Sequence, residues 1–75
     1  MSIYNILKEI RPSLKKNLLE KEIDLIDAGI LDSFEMLEFI QLLEAKHKFD
    51  YENYVNQYSD FKIKNLEKYL EINLF

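Results

Sequence analysis

Apolar residues recur at three-to-four spacing along much of this chain, and that period predicts helices rather than strands. Ile3, Ile6, Leu7 and Ile10 form an i, i+3, i+4, i+7 stripe, so residues 2 to about 11 read as helix I with Ser2 as its cap. Pro12 disfavours helical geometry at Arg11 and lacks a backbone donor, which ends the helix there. Leu14 and Leu18, four apart, place a short helical piece at about 13 to 19. Phe34, Leu37, Ile40 and Leu43 predict the apolar face of helix II, running from about 33 to 48. After a polar stretch at Asp50 to Asn53, broken only by Tyr51, the residues Tyr54, Val55 and Tyr58 predict a brief helix III. Ser59 or Asp60 caps helix IV, whose inward stripe is Ile63, Leu66 and Leu70 with Tyr69, ending at about residue 72. No β-type alternation competes with these assignments.

Residues 20 to 31 carry no sustained period, yet Ile23, Leu25, Ile26, Ile30 and Leu31 are too apolar for a free linker, so this long loop is expected to pack against the helices. Gly29, the only glycine, marks a backbone conformation that other residues reach with strain. The sum is a single all-α domain over residues 1–75, an antiparallel four-helix bundle with a short third helix and a long loop between helices I and II.

Seventy-five residues lie near the lower limit for one hydrophobic core and leave no room for a separate catalytic domain. With no cysteine there is neither a disulfide framework nor a thiolate nucleophile, so the fold must rest on packing, to which five Tyr and five Phe contribute large buried area. No apolar run reaches membrane-span length, and Lys8, Glu9 and Arg11 interrupt the N-terminal segment before it could form a signal-peptide core; the expectation is a soluble, cytoplasmic protein without membrane insertion. The net charge of −4 is unevenly placed. Residues 20 to 38 hold seven acids against Lys21 alone, a net −6, and the remainder is net +2. A field of one sign steers basic partners, whereas the scattered lysines exclude a nucleic-acid interface.

That acidity surrounds the most distinctive local signal, Gly29-Ile30-Leu31-Asp32-Ser33-Phe34. Asp32 stands at an N-cap position with Glu35 three residues later as capping-box partner, which leaves Ser33 at the first helical position with its side chain free. The first turn of a helix offers unpaired N–H groups and the positive end of the macrodipole, so a phosphodiester on a serine there meets favourable electrostatics. Serine hydrolysis is excluded: the only histidine, His47, lies about four turns along the same helix, and there is no Gly-x-Ser-x-Gly elbow. Asp24, Gly29 and Glu35 fit positions one, six and twelve of an EF-hand frame, but Ile26 and Ala28 supply no oxygen at positions three and five. One histidine and no cysteine give no transition-metal ligand set.

The Gly-Ile-Leu-Asp-Ser-Phe run resembles the attachment motif of the acyl carrier protein family, and the resemblance covers essentially the whole chain in length, acidity and placement of the serine. In that family the serine opens helix II after a long loop and is followed by an acidic, apolar, apolar, acidic pattern, here Glu35, Met36, Leu37 and Glu38. The resemblance implies a carrier-type bundle and a 4'-phosphopantetheine group on Ser33, transferred from coenzyme A by a phosphopantetheinyl transferase, with Asp32 positioning the site. It implies no catalysis by the chain itself, which would carry acyl or aminoacyl thioesters to partners, namely an activating ligase and acyltransferase or condensing enzymes with basic docking surfaces. Glu35, Met36 and Glu38, extended by Glu44, would form the partner surface of a monomeric carrier.

Phenylalanine after the serine is similar to D-alanyl and other specialised free-standing carriers, so the cargo stays open among fatty acyl, short acyl and aminoacyl groups. The resemblance also places Phe39 in an opening between helices that could take an acyl chain. Two positions depart from the family. His47 stands where carriers usually close helix II with a phenylalanine, with Phe49 placed to take over that contact, and Gln41 replaces an apolar contact residue. The rival class is a small acidic helical interaction module without a prosthetic group, in which Ser33 only assists the cap; an obligate dimer through exposed tyrosines is a further alternative.

Overall fold

Three of the four helix starts are set by a side-chain oxygen that accepts from an otherwise unpaired N–H. In the computed structural model, which describes residues 1–75, Ser2 Oγ accepts from Asn5 N at 3.1 Å and opens α1 (Ile3–Ile10). Asp32 opens α2 (Ser33–Lys46), and Asp50 opens α3 (Tyr51–Gln57) by accepting from Asn53 N at 3.1 Å. The fourth, α4 (Ile63–Leu70), begins after Lys62 without a side-chain cap, later than the sequence predicts. Asp60, one of the two expected caps, instead accepts through Oδ1 from Lys62 N and from Asn65 Nδ2, while Lys62 stays extended. Glu71 adopts left-handed geometry at φ 58° and ends α4 at Leu70 rather than near residue 72.

The protein is all-α. Its one strand-like feature is an isolated antiparallel bridge between Asp24 and Lys62. Helix α1 ends at Ile10 with Arg11 as C-cap, as Pro12 requires, and it packs on α2 and α4. Its first N–H groups are satisfied by the C-terminal tail, through Ile3 N to Asn73 O at 3.0 Å and Tyr4 N to Leu74 O at 2.9 Å. The helical piece expected at 13 to 19 is a single 3-10 turn at Lys16–Leu18. There Leu14 and Leu19 are buried while Leu18 points outward.

One core runs through the molecule, and Leu25, Ile30 and Leu31 belong to it with Ile23 packed against it, so the long loop is packed as expected except at Ile26, which is exposed. The loop is also stitched to the start of α4 by Leu25 N to Phe61 O, Ile63 N to Ile23 O and Lys64 N to Lys21 O. Helix α2 buries Met36, Phe39 and Leu43, so of the expected face Leu43 is buried and Ile40 packs half-buried on the core, while the other two positions turn outward. Phe34 and Leu37 are 70% and 53% exposed. A spacing of three drifts by about 60° per step, so Phe34, Leu37, Ile40 and Leu43 wind halfway round a helix of about 3.6 residues per turn and cannot all face one neighbour. At the far end of α2, His47 is the C-cap and half-buried, and Phe49 is buried against the rings of Tyr54 and Tyr69, at 5.4 and 5.5 Å between centroids.

Candidate functional site

The loop from Asp24 to Leu31 delivers the chain to Ser33, and a single carboxylate shapes it. Asp24 Oδ1 accepts from Ile26 N at 2.9 Å and Asp27 N at 3.1 Å, while Oδ2 accepts from Phe61 N at 3.0 Å. Partial burial opposes ionisation of this carboxyl, but the N–H donors of Asp27, Phe61 and Ile26 and the charge of Lys62 outweigh it and hold the group below its ordinary value. Gly29 closes the turn at φ 71°, where its N–H donates to Ile26 O, and a β-carbon there would meet nothing within 4 Å. The glycine therefore serves its backbone angle and not a close approach. Gly29→Ala is expected to lower folding free energy by about 1 kcal/mol, the usual cost of a left-handed L-residue, as read from urea unfolding; an unchanged midpoint would show that the turn relaxes at no cost.

At the start of α2, Asp32 Oδ1 accepts from Glu35 N at 2.8 Å and Glu35 Oε1 accepts from Asp32 N at 3.1 Å, which completes the capping box that the sequence predicts. The box occupies its neighbours and leaves Ser33 exposed, with its hydroxyl uncommitted, at the first position of the helix. Beside it opens a groove of about 410 Å³ lined by Ser33 and six apolar residues, Ile26, Met36, Leu37, Ile40, Tyr51 and Phe61. Ser33 is the only aliphatic hydroxyl on its wall, and the groove has no charged side chain. Tyr51 stacks on Phe61 at 6.3 Å, so α3 and the segment before α4 form the wall opposite α2.

No protein-family model, curated protein or solved structure matches this chain. Ser33 lines the groove, Asp32 precedes it as the exposed N-cap and is not on the groove wall, and Glu38 and Glu44 are exposed on α2. Met36, expected on the partner surface, is only 4% exposed and belongs to the core, with an edge in the groove. Glu35 is engaged by Asp32 and by Arg11, whose Nε lies 3.3 Å from Glu35 Oε2. Phe39, expected in the opening, is fully buried and does not line it; Met36, Leu37 and Ile40 do.

Sequence reasoning did not assign Ile26, Tyr51, Phe61 or Arg11 to the site. For the first three no local pattern was available, since their meeting depends on the loop-to-α4 stitching. Arg11 carried a signal, as the only arginine in the chain and one fixed at a helix end by proline. The acidic surface is smaller than the sequence count suggests, because Glu22 is paired with Lys64 at 3.0 Å, Glu35 with Arg11, and Asp24 is turned to backbone donors. Glu20, Asp27, Asp32, Glu38 and Glu44 remain outward. No helix is long and apolar enough to cross a membrane.

Proposed function

We propose that this protein is a carrier of the acyl carrier type, a four-helix bundle whose Ser33 accepts 4'-phosphopantetheine from coenzyme A. The observation that carries this reading is the exposed Ser33 hydroxyl at the first position of α2, left uncommitted because Asp32 and Glu35 complete the cap without it. In the transfer the Ser33 Oγ–P bond forms as a P–O bond within the pyrophosphate of coenzyme A breaks, adenosine 3',5'-bisphosphate departs as the leaving group, and the hydroxyl proton passes to a base of the transferase. The anionic product sits at the positive end of a 14-residue helix. Asp32 contributes by fixing the backbone of the turn.

The arm's terminal thiol then holds an acyl or aminoacyl group as a thioester, and tethering raises its effective concentration at successive enzymes. The chain itself does no catalysis. Partners with basic residues around an apolar contact suit Phe34 and Leu37 flanked by Glu38 and Glu44. A monomer in the cytoplasm fits this role. The exposure of Phe34 and Leu37 equally favours a second reading, an interaction module without a prosthetic group.

Intact mass after incubation with a broad-specificity phosphopantetheinyl transferase, Mg²⁺ and coenzyme A separates the two. The wild type is expected to gain one phosphopantetheine group and Ser33→Ala none. A folded wild type that gains nothing leaves the interaction module standing, and a gain that persists in Ser33→Ala moves the site to Ser2, Ser13 or Ser59.

A further inference from the structure

We propose that Arg11 is a positioning residue that fixes the presentation of Ser33; this rests on the carrier reading of that serine. Pro12 ends α1 at Arg11, whose backbone N–H still donates to Leu7 O at 2.9 Å, so the base of the side chain is anchored to the helix. From there the guanidinium spans two elements. Its Nη1 donates to Ile30 O at 2.9 Å, in the last residues of the loop, and its Nε lies 3.3 Å from Glu35 Oε2, in the first turn of α2. Glu35 uses its other oxygen to accept from Asp32 N, and Asp32 returns the bond to Glu35 N. Ser33 thus sits inside a closed set of contacts whose two flanks, Ile30 and Glu35, are held by one planar cation.

A planar guanidinium can serve both acceptors at once, and a lysine ammonium on its flexible stem reproduces the charge without the fork. The Glu35 side chain is 18% exposed and that of Arg11 40%, so the pair is partly shielded from water on the carboxylate side. Without the fork, Ile30 and Glu35 lose the side chain they share, the capping box loses its outer support, and conformations in which Ser33 is not presented become populated. A partner that binds only the presented form then meets a smaller competent fraction, which raises its apparent binding constant without altering the chemistry that follows.

Steady-state phosphopantetheinylation of Arg11→Ala is therefore expected to show a KM for the carrier raised about tenfold with kcat unchanged. Arg11→Lys falls between it and wild type. The sign is diagnostic, because removing a positive charge from an acidic surface would by electrostatics alone lower KM for a basic transferase. Glu35→Gln, which keeps an oxygen for the capping box, is expected to raise KM similarly, with little added by combining the two changes. Lys46→Ala, which breaks the distant pair with Glu9, is the control that leaves KM unchanged.

Amide hydrogen exchange on the unmodified chain supplies a readout that needs no transferase: exchange at Asp32 N–H is expected to quicken about tenfold in Arg11→Ala while core amides keep their rates. Unchanged exchange there overturns the clamp. A wild type that is modified, with a KM unaffected in Arg11→Ala or fully restored in Arg11→Lys, overturns the positioning role. A wild type that is never modified is instead the failure of the carrier reading, and exchange still decides the clamp.

Discussion

Replacing Tyr54 by alanine is expected to remove roughly 4 kcal/mol of folding free energy, the usual cost of deleting a fully buried large aromatic ring. A chain of this length has of order 4–11 kcal/mol in total, so the variant is expected to be marginal or unfolded at 25 °C. Tyr54 is fully buried and its ring packs against Phe49, Tyr58, Phe61 and Tyr69, at centroid distances of 5.4, 5.2, 5.0 and 5.2 Å. It ties α3 to α4 and to the segment between them. Its hydroxyl donates to Asp60 O at 2.9 Å, so the ring is held at its polar end as well. Phe61, a wall of the groove beside Ser33, rests on this ring, and loss of Tyr54 is expected to open the groove even where helicity survives. Urea unfolding followed by circular dichroism measures the effect; a loss below about 1 kcal/mol would mean that the cluster closes over the gap.

Tyr54→Phe isolates the hydroxyl and is expected to cost about 1 kcal/mol, because the Asp60 carbonyl keeps a second lone pair for water. Burial first, then the charges of Asp60, Tyr58 and Asp24, raise the Tyr54 phenol well above its ordinary 10.0. A phenol raised on folding contributes stability that is complete below the unfolded value near 10 and is lost as pH climbs above it. Wild-type stability is therefore expected to fall on titration above pH 10.0, and that of Tyr54→Phe to fall less.

The parts of this fold that could be read from sequence are those that local chemistry decides. The start of α2 is one: Asp32 and Glu35 specify a capping box whatever packs above it, and the structure places Ser33 at the first helical position as that box dictates. The end of α1 is another, since Pro12 acts on its neighbour without tertiary help. The buried face of α2 was not readable. Eight of its 14 residues, Phe34, Met36, Leu37, Phe39, Ile40, Leu42, Leu43 and Ala45, are apolar and lie almost all round the helix, so periodicity alone admits more than one stripe. Packing chose Met36, Phe39 and Leu43, which left Phe34 and Leu37 outside. The start of α4 was misplaced for a related reason. Asp60 has the chemistry of a cap, but the bridge from Asp24 to Lys62 holds Lys62 extended, and that pairing joins positions 38 apart in the chain. The groove inherits the same long-range dependence, because Ile26 and Phe61 reach it only through the stitching of loop to helix.

That stitching turns on Asp24, and Asp24→Ala is expected to cost about 2 kcal/mol, since one charged acceptor serves three backbone donors whose only alternative is water. The donors are not equal. Ile26 N and Asp27 N lie in an exposed turn where water competes, whereas Phe61 N is partly buried and costs more to leave unpaired. Asp24→Asn separates the contributions: its carbonyl oxygen can still serve the turn, but its amide then faces Phe61 N, donor against donor. The carboxyl is held below 3.8 on folding, so its contribution is present above that unfolded value and is lost as pH falls through the lower folded one. The stability gap between wild type and Asp24→Asn is therefore expected to be constant from neutral pH to about pH 5 and to close below about pH 4. A gap that persists in acid would show that the native contact is steric and not ionic. Because Asp24 holds both the turn that leads to Ser33 and the Phe61 wall of the groove, its loss loosens two sides of the site at once, and in Asp24→Ala the exchange of Ile30 and Leu31 N–H, both bonded to Leu25 O, is expected to quicken ahead of the core.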